Sequence, residues 1–366
     1  MNGLSSPKTL FDSLAREVVD QRVALEQISV SLYKHIQGIK VGNILLIGNS
    51  GTGKTTIMRA IERAFGEDPQ LAKFMNTIRL NANIVSGDDA KAVETGIIIE
   101  RLRQNTLKIL DGEGDETRFK ELMENGVVFL DEVDKIRTIV GDKPNTRGIL
   151  AQEALLTLIE GEGVRLPYTY RGGEGDLLQK EVLIDTSRIL FICGGAFEGL
   201  YDMVYRRVAS GEHKDRLVQE YLISEQEEEL EQKEHFTLND YVRYEDMFAY
   251  GMTPQFLGRF DEIIVLNDLS VNAMMRIFVE PQDSIYREAR RYFRSLGIDL
   301  QITKDALKLI AEQAYEHHRL GARALRMVFK RILRGLEFNP EASYLLQKTA
   351  DRKILVINRE IVQNFG

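Results

Sequence analysis

Gly48-Asn49-Ser50-Gly51-Thr52-Gly53-Lys54-Thr55 follows directly on the apolar run 42–47. It precedes Thr56 and the helical pattern Ile57-Met58-Arg59-Ala60-Ile61-Glu62-Arg63-Ala64-Phe65, which Gly66 stops. Buried strand, glycine-rich loop and helix, in that order, is what a phosphate-binding loop requires. The glycines let successive backbone N–H groups turn inward around a β-phosphate, and Lys54 sets a point charge against the β and γ oxygens. The pattern assigns Gly48, Asn49, Ser50, Gly51, Thr52, Gly53, Lys54, Thr55 and Thr56 to a nucleoside triphosphate, with Thr55 also holding a metal. ATP and Mg2+ are the expected cofactors.

A loop that hydrolyses as well as binds needs an acid partner. Val127-Val128-Phe129-Leu130-Asp131-Glu132 reads as a buried strand ending in two carboxylates. Asp131 would complete the Mg2+ shell through water, and Glu132 would orient and polarise the attacking water.

The rest of the chain fits a two-domain α/β protein. At 366 residues it can bury one large core and a smaller second one. Strand-like apolar runs recur at 44–47, 77–80, 127–130 and 189–193, separated by helical stretches, which predicts a parallel sheet flanked by helices. Residues 7–40 carry an amphipathic helical pattern with Leu14, Val18, Val19, Leu25, Ile28 and Leu32 on one apolar side. After Asn267-Asp268-Leu269 a second unit begins, where Ser270 can cap a helix. Helices are expected there over 271–278, 282–296, 304–318 and 322–336, with short strands at 299–302 and 353–357. The acidic run 225–234 reads as a solvated helix face.

The net charge of −8 disfavours nucleic acid as a partner. A single cysteine, Cys193, excludes an internal disulfide framework and a cysteine-cluster zinc module, and five scattered histidines offer no metal spacing. No apolar run approaches the ~20 residues that span a bilayer, so no membrane association is expected. A cytoplasmic protein is the expectation.

Leu130-Asp131-Glu132-Val133-Asp134-Lys135-Ile136 resembles the Walker B block of AAA+ protein-remodelling ATPases, in the branch containing ClpX and HslU. Two further blocks favour a ClpX-like member: Ala154-Leu155-Leu156-Thr157-Leu158-Ile159-Glu160-Gly161, and Asp185-Thr186-Ser187-Arg188-Ile189-Leu190-Phe191-Ile192-Cys193-Gly194-Gly195-Ala196-Phe197. The likeness runs from about residue 11 to about residue 357. It implies an N-terminal helical entry segment at 1–40, an AAA+ P-loop domain at 41–268 and a smaller, mainly helical α+β domain at 269–366. Val18 and Val19 match the entry motif whose backbone borders adenine, with Gln21 retained and Asp20 where the family usually has glycine. Pro254-Gln255-Phe256-Leu257-Gly258-Arg259 matches the block ending in the arginine finger, so Arg259 would reach the γ-phosphate of a neighbouring subunit. Gly321-Ala322-Arg323 matches the sensor-2 box, in which Arg323 reads the same phosphates. The resemblance thus implies a homo-oligomer, a hexamer in the family, with Glu132, Arg259 and Arg323 as the catalytic set.

The sequence also departs from that family. Where ClpX-type unfoldases carry the aromatic grip Gly-Tyr-Val-Gly, this chain reads Leu80-Asn81-Ala82-Asn83-Ile84-Val85-Ser86-Gly87-Asp88-Asp89. Ile84 and Val85 read equally as a weaker grip and as a strand end or helix staple. The four cysteines of the ClpX zinc module have no counterpart in these residues. The ClpP-docking tripeptide, Ile/Leu-Gly-Phe/Leu, does not occur between positions 208 and 250. A glycine-rich loop around Arg171-Gly172-Gly173-Glu174-Gly175-Asp176 replaces the family's basic entrance loop. The expected protein is a ring-forming ATPase that remodels an unidentified protein client without ClpP. The alternative is a nucleotide-driven assembly switch or scaffold with slow hydrolysis.

Overall fold

The computed structural model describes residues 6–39, 42–83, 96–141, 143–172, 176–210, 218–223, 230–235, 238–317, 320–342, 345–348 and 352–365. The chain divides into two compact units. One comprises residues 30–47 and 65–265; the other comprises 1–29, 48–64 and 266–366.

The first of these is built on a parallel sheet of five strands: β1 (Asn43–Ile47), β2 (Thr77–Asn81), β3 (Val127–Asp131), β4 (Leu190–Gly195) and β5 (Phe260–Val265), in the order β5-β1-β4-β3-β2. Every residue of β1 and β4 is buried. Strand sides alternate, so Leu45, Ile47, Val128, Leu130, Phe191 and Cys193 enter one core with Phe119, Leu155 and Phe256. Their neighbours Ile44, Leu46, Val127, Phe129 and Ile192 are just as buried on the other face. Burial on both faces is why these strands read as unbroken apolar runs. Helices Gly96–Leu110, Glu116–Glu124, Thr146–Glu160 and Leu200–Ser210 supply the cover.

β5 was absent from the expected strands. Its sequence, Phe260-Asp261-Glu262-Ile263-Ile264-Val265, carries two acids directly after the first residue, and its register against β1 slips between Asn43 and Ile44. The Asp261 carboxylate accepts the Gly42 N–H at 2.6 Å, lying where a Cβ on Gly42 would stand. A polar group spent on the backbone in this way leaves no hydrophobic signal.

A long antiparallel hairpin pairs Gly163–Arg171 with Leu177–Asp185 in the same unit. A second pairs Val218–Ile223 with Leu230–His235. The expected helix over the acidic run is therefore corrected for residues 230–234, which form a strand, while 225–229 lie outside the described residues. The partner stretch Val218-Gln219-Glu220-Tyr221-Leu222-Ile223 is rich in strand-favouring residues, and cross-strand pairing overrides the weak local helical preference of a glutamate run.

In the other unit, Val271–Val279, Ile285–Ser295, Lys304–Glu316 and Ala322–Phe338 are the helices anticipated from periodicity. Ser270, Ser284 and Thr303 cap the first three through side-chain oxygens. Phe278, Phe293, Phe329, Leu300 and Leu355 close the core between these helices and a small sheet. That sheet, β6 (Ile298–Ile302), β7 (Leu346–Lys348) and β8 (Lys353–Ile357), has the order β6-β8-β7.

Among the described residues, no helix is long and apolar enough to cross a membrane.

His35, on the helix Arg22–Ile36, packs its ring 5.2 Å from Phe74, and its buried Nε2 has no hydrogen-bond partner. Burial, with smaller contributions from Arg188 and Lys73, lowers its pKa to about 4, opposed by a backbone hydrogen bond with Asn125. The unfolded chain then binds the proton first, so this histidine's contribution is complete above pH 6.5 and is lost as pH falls toward 4. Chemical denaturation of the wild type should show a loss of about 3 kcal/mol across that window from this group. His35→Leu should flatten that part of the pH profile; an unchanged profile would refute the assignment.

Candidate functional site

The phosphate loop belongs to the unit formed by 1–29, 48–64 and 266–366. Gly51 and Gly53 take φ of +79° and +114°, backbone regions that favour glycine. Gly48 is needed for space: a Cβ there would meet Thr52 Oγ1 at 2.7 Å and Leu266 at 2.9 Å. The loop closes on itself, with the Thr52 N–H and hydroxyl both donating to the Asn49 carbonyl at 3.3 and 2.9 Å. The helix Lys54–Glu67 starts at once, the Ile57 N–H donating to the Gly53 carbonyl at 2.8 Å. Buried Lys54 turns its ammonium back onto the carbonyls of Gly48 and, at 2.9 Å, Asn49. Thr55 is half-buried and Thr56 exposed.

The entry segment meets this loop through Gln21, which is 1 % exposed. Its amide donates to the Thr52 carbonyl at 3.1 Å and the Asn267 carbonyl at 2.8 Å, and its oxygen accepts the Asn267 N–H at 2.9 Å. Asn49 adds a 2.8 Å bond to Asp268. Val18 and Val19 are buried in the turn between Pro7–Leu14 and Arg22–Ile36, and Val18 is the nearest atom group to the open side of Gly53. The single amphipathic run expected over 7–40 is thus broken here. Asp20 breaks it with φ of +64°, which accounts for a position where the resemblance leads one to expect glycine. Aspartate is among the few other residues that tolerate this conformation.

The third contributor to the loop is the Gly321 turn. A Cβ on Gly51 would stand 2.5 Å from the Leu320 carbonyl, and one on Gly321 would stand 2.5 Å from the Ser50 carbonyl. The Ala322 N–H points at the Gly51 carbonyl at 3.4 Å, and Arg323 donates to the Ser50 hydroxyl at 3.0 Å.

The two acids belong to the other unit, at the end of β3. Glu132 has φ of +61° and ψ of 34°, a left-handed conformation uncommon for a glutamate. The Asp131 carboxylate accepts the Glu132 N–H at 2.9 Å. Asn81, paired with Asp131 in the sheet register, donates to Glu132 Oε2 at 2.6 Å, and Asn83 donates to the same oxygen at 3.4 Å. Neither asparagine was singled out from the sequence. The available signal was an amide residue ending the strand beside β3, level with Asp131. Asp134 is buried; its Oδ1 accepts the Ala196 N–H at 3.2 Å and its Oδ2 lies 3.5 Å from the Lys135 ammonium.

Arg259 follows the one-turn helix Pro254–Leu257 and forms an ion pair with Glu160 at the end of Thr146–Glu160. The expected pore segment at Ile84 and Val85 lies outside the described residues, as do 173–175 of the glycine-rich loop.

The donor set suits a magnesium nucleotide. No group of three or more metal-ligating side chains occurs among the described residues. A magnesium ion that keeps several waters and takes phosphate oxygens needs only one or two protein ligands. In one unit a glycine-rich loop at a helix start, a lysine and an arginine reaching Ser50 suit an anion; in the other, a strained, doubly hydrogen-bonded glutamate suits the polarising of a water.

The family profile described as AAA domain (Cdc48 subfamily) matches residues 39–263. The chain is 32 % identical to an ATP-dependent Clp protease ATP-binding subunit, ClpX 3, of Methylococcus capsulatus, over 94 % of this chain and 79 % of that protein. Proteins named ATP-dependent Clp protease ATP-binding subunit ClpX from Borrelia duttonii and Treponema denticola are each 28 % identical. The first match covers 98 % of this chain and 80 % of the relative, the second 99 % and 82 %.

The Gly321 contact gives a direct test. Its φ of +51° and ψ of −138° suit glycine almost alone, and an added methyl would strike the Ser50 carbonyl. Gly321→Ala should weaken binding of a fluorescent ATP analogue by about tenfold and lower the unfolding temperature, since strain of this kind costs about 1–3 kcal/mol. Asp20→Gly should hold or raise the unfolding temperature, and Asp20→Val should lower it. Equal melting of the two Asp20 variants would show that this turn carries no strain.

Proposed function

Because the chain belongs to the AAA domain family (Cdc48 subfamily) and is a ClpX-like AAA+ ATPase of the chaperone type, we propose that it remodels or disassembles a protein partner as a homo-oligomeric ring, independently of ClpP. What supports a mechanical output is the seat of the Gly321 turn on the phosphate loop. Arg323 on Ser50, and main chain against main chain at Gly51, tie the helix Ala322–Phe338 to the atoms that would surround the phosphates. Loss of the γ-phosphate then alters the partner of Arg323 and biases the position of that helix.

The roles divide by chemistry. Backbone N–H groups of residues 48–53 and the Lys54 ammonium receive the β and γ oxygens, and Val18 and Val19 border the adenine. Thr55 and, through water, Asp131 would hold Mg2+, which would supply positive charge against the phosphate oxygens. Glu132 accepts a proton from the attacking water; Asn81 and Asn83 fix the oxygen that does not take it. Arg259 reaches the γ-phosphate of a neighbouring protomer, a contribution of ~10³ to 10⁵ in rate in related nucleotide hydrolases. Charge placed in advance around the transferring group does most of the work.

Glu132→Gln should bind ATP and abolish turnover; undiminished hydrolysis would remove the water-activating role. Arg259→Ala should bind nucleotide normally yet hydrolyse at least about 10³-fold more slowly. Mixing these two proteins should restore turnover, because each supplies what the other lacks. Full activity of Arg259→Ala alone would exclude a shared site. Stimulation of the wild type by an unfolded polypeptide supports the remodeller, whereas a slow, indifferent rate with nucleotide-dependent assembly would replace it with an assembly switch.

A further inference from the structure

Gln152 lies in the middle of the helix Thr146–Glu160, 1 % exposed, where packing alone would call for leucine or methionine. Burying an amide is costly unless its polar atoms are bonded. Here all the bonds go to backbone. Nε2 donates to the Ile136 carbonyl at 2.8 Å and the Gly251 carbonyl at 3.0 Å, and Oε1 accepts the Thr253 N–H at 2.8 Å.

Those three groups belong to two segments with separate tasks. Ile136 ends the short turn Val133–Ile136 that begins immediately after Glu132. Gly251 and Thr253 lead into the one-turn helix Pro254–Leu257, which Thr253 caps by accepting the Phe256 N–H at 3.3 Å. From there two backbone bonds tie the chain up to Arg259: Gly258 donates to the Pro254 carbonyl at 2.9 Å and Arg259 to the Phe256 carbonyl at 3.1 Å. The far end is pinned as well. Buried Asn43 donates to the Arg259 carbonyl from its N–H at 3.3 Å and its amide at 3.0 Å, and accepts the Phe191 N–H at 3.0 Å. Thr138 repeats the tie to Gly251 at 2.8 and 3.0 Å, and at Gly251, with φ of +111°, a Cβ would be strained and crowded to 3.1–3.2 Å from Arg137, Thr138 and Ile139.

We propose that Gln152 is a positioning residue for Arg259: it fixes the segment 251–259 against the turn that follows Glu132, so that the arginine is presented to the neighbouring protomer in a set place. The proposal rests on the role of Arg259 given above. It predicts a defect expressed in the neighbour's site and absent from the protomer's own.

Gln152→Met keeps the side chain's volume and removes all three bonds. In the full chain, its kcat at saturating ATP should fall about tenfold or more, the scale of a misplaced catalytic group. Affinity for a fluorescent ATP analogue should stay within about twofold, because a finger out of place spares ground-state binding. Mixing with excess Glu132→Gln protein should bring turnover back to that of a wild-type and Glu132→Gln mixture, since the Glu132→Gln protomers carry an intact Arg259. Combined with Arg259→Ala, the substitution should cost nothing further, whereas a general loss of structure would lower both backgrounds. Unchanged kcat, or a defect that Glu132→Gln protomers do not rescue while they do rescue Arg259→Ala, would overturn the inference. Failure of the Arg259→Ala mixture itself would instead remove the reading of Arg259, and this inference with it. If Gln152→Met does not fold, Gln152→Glu, which keeps the acceptor for Thr253 and loses both donors, is measured in the same way.

Discussion

Two residues without side chains, Gly51 and Gly321, bring the phosphate loop and the turn carrying Arg323 so close that a methyl group on either would lie about 2.5 Å from the other's backbone. That approach lets an arginine more than 250 positions away reach the Ser50 hydroxyl. A longer side chain at either position would separate the turn from the loop, and with it the helix Ala322–Phe338. The same unit gains its third element through Gln21, whose buried amide is bonded to the backbone of Thr52 and of Asn267. The loop is thus held by main-chain contacts, by the Gln21 and Asn49 amides and by Arg323 on Ser50, which are directional and sensitive to small shifts in a way that apolar packing is not.

The acid end of the machinery follows a second principle, strain maintained by hydrogen bonding. Glu132 stands in a left-handed conformation that a glutamate rarely adopts, and Asp131, Asn81 and Asn83 hold it there. A carboxylate fixed before substrate arrives needs no reorganisation when charge develops, which is where electrostatic catalysis gains most. Buried amides recur as the device: Gln21, Asn43 and Gln152 each satisfy several backbone groups where segments converge. Each would be a liability with one partner missing, so they specify geometry as well as contributing stability.

The legibility of these features in the sequence depended on their range. The buried strands of the sheet and the helices of the 266–366 stretch are readable because burial imposes an unbroken apolar run on the strands and a repeating apolar face on the helices. The edge strand Phe260–Val265 is not, since Asp261 serves the Gly42 backbone and, with Glu262, breaks the apolar run. Residues 230–234 of the acidic stretch form a strand and not the expected helix, because pairing with Val218–Ile223, a partner several residues upstream, decides their conformation. Asn81 went unnoticed because its importance lies in a neighbour across the sheet.

The sequence alone carries the pattern on which the proposed nucleotide chemistry rests: glycines at the loop's turning points, a lysine, a threonine, and two acids after an apolar strand are local features that bonding rules make readable. The sequence also specified the ClpX-like AAA+ class, through several ordered blocks. Only the tertiary structure decided which partners those residues take: Asn81 for Glu132, Glu160 for Arg259, Ser50 for Arg323, and Gln152 between two backbone turns. The reason is physical. A hydrogen bond or ion pair is fixed by distances of about 3 Å in space, and residues far apart in the chain reach that separation only once the fold is complete.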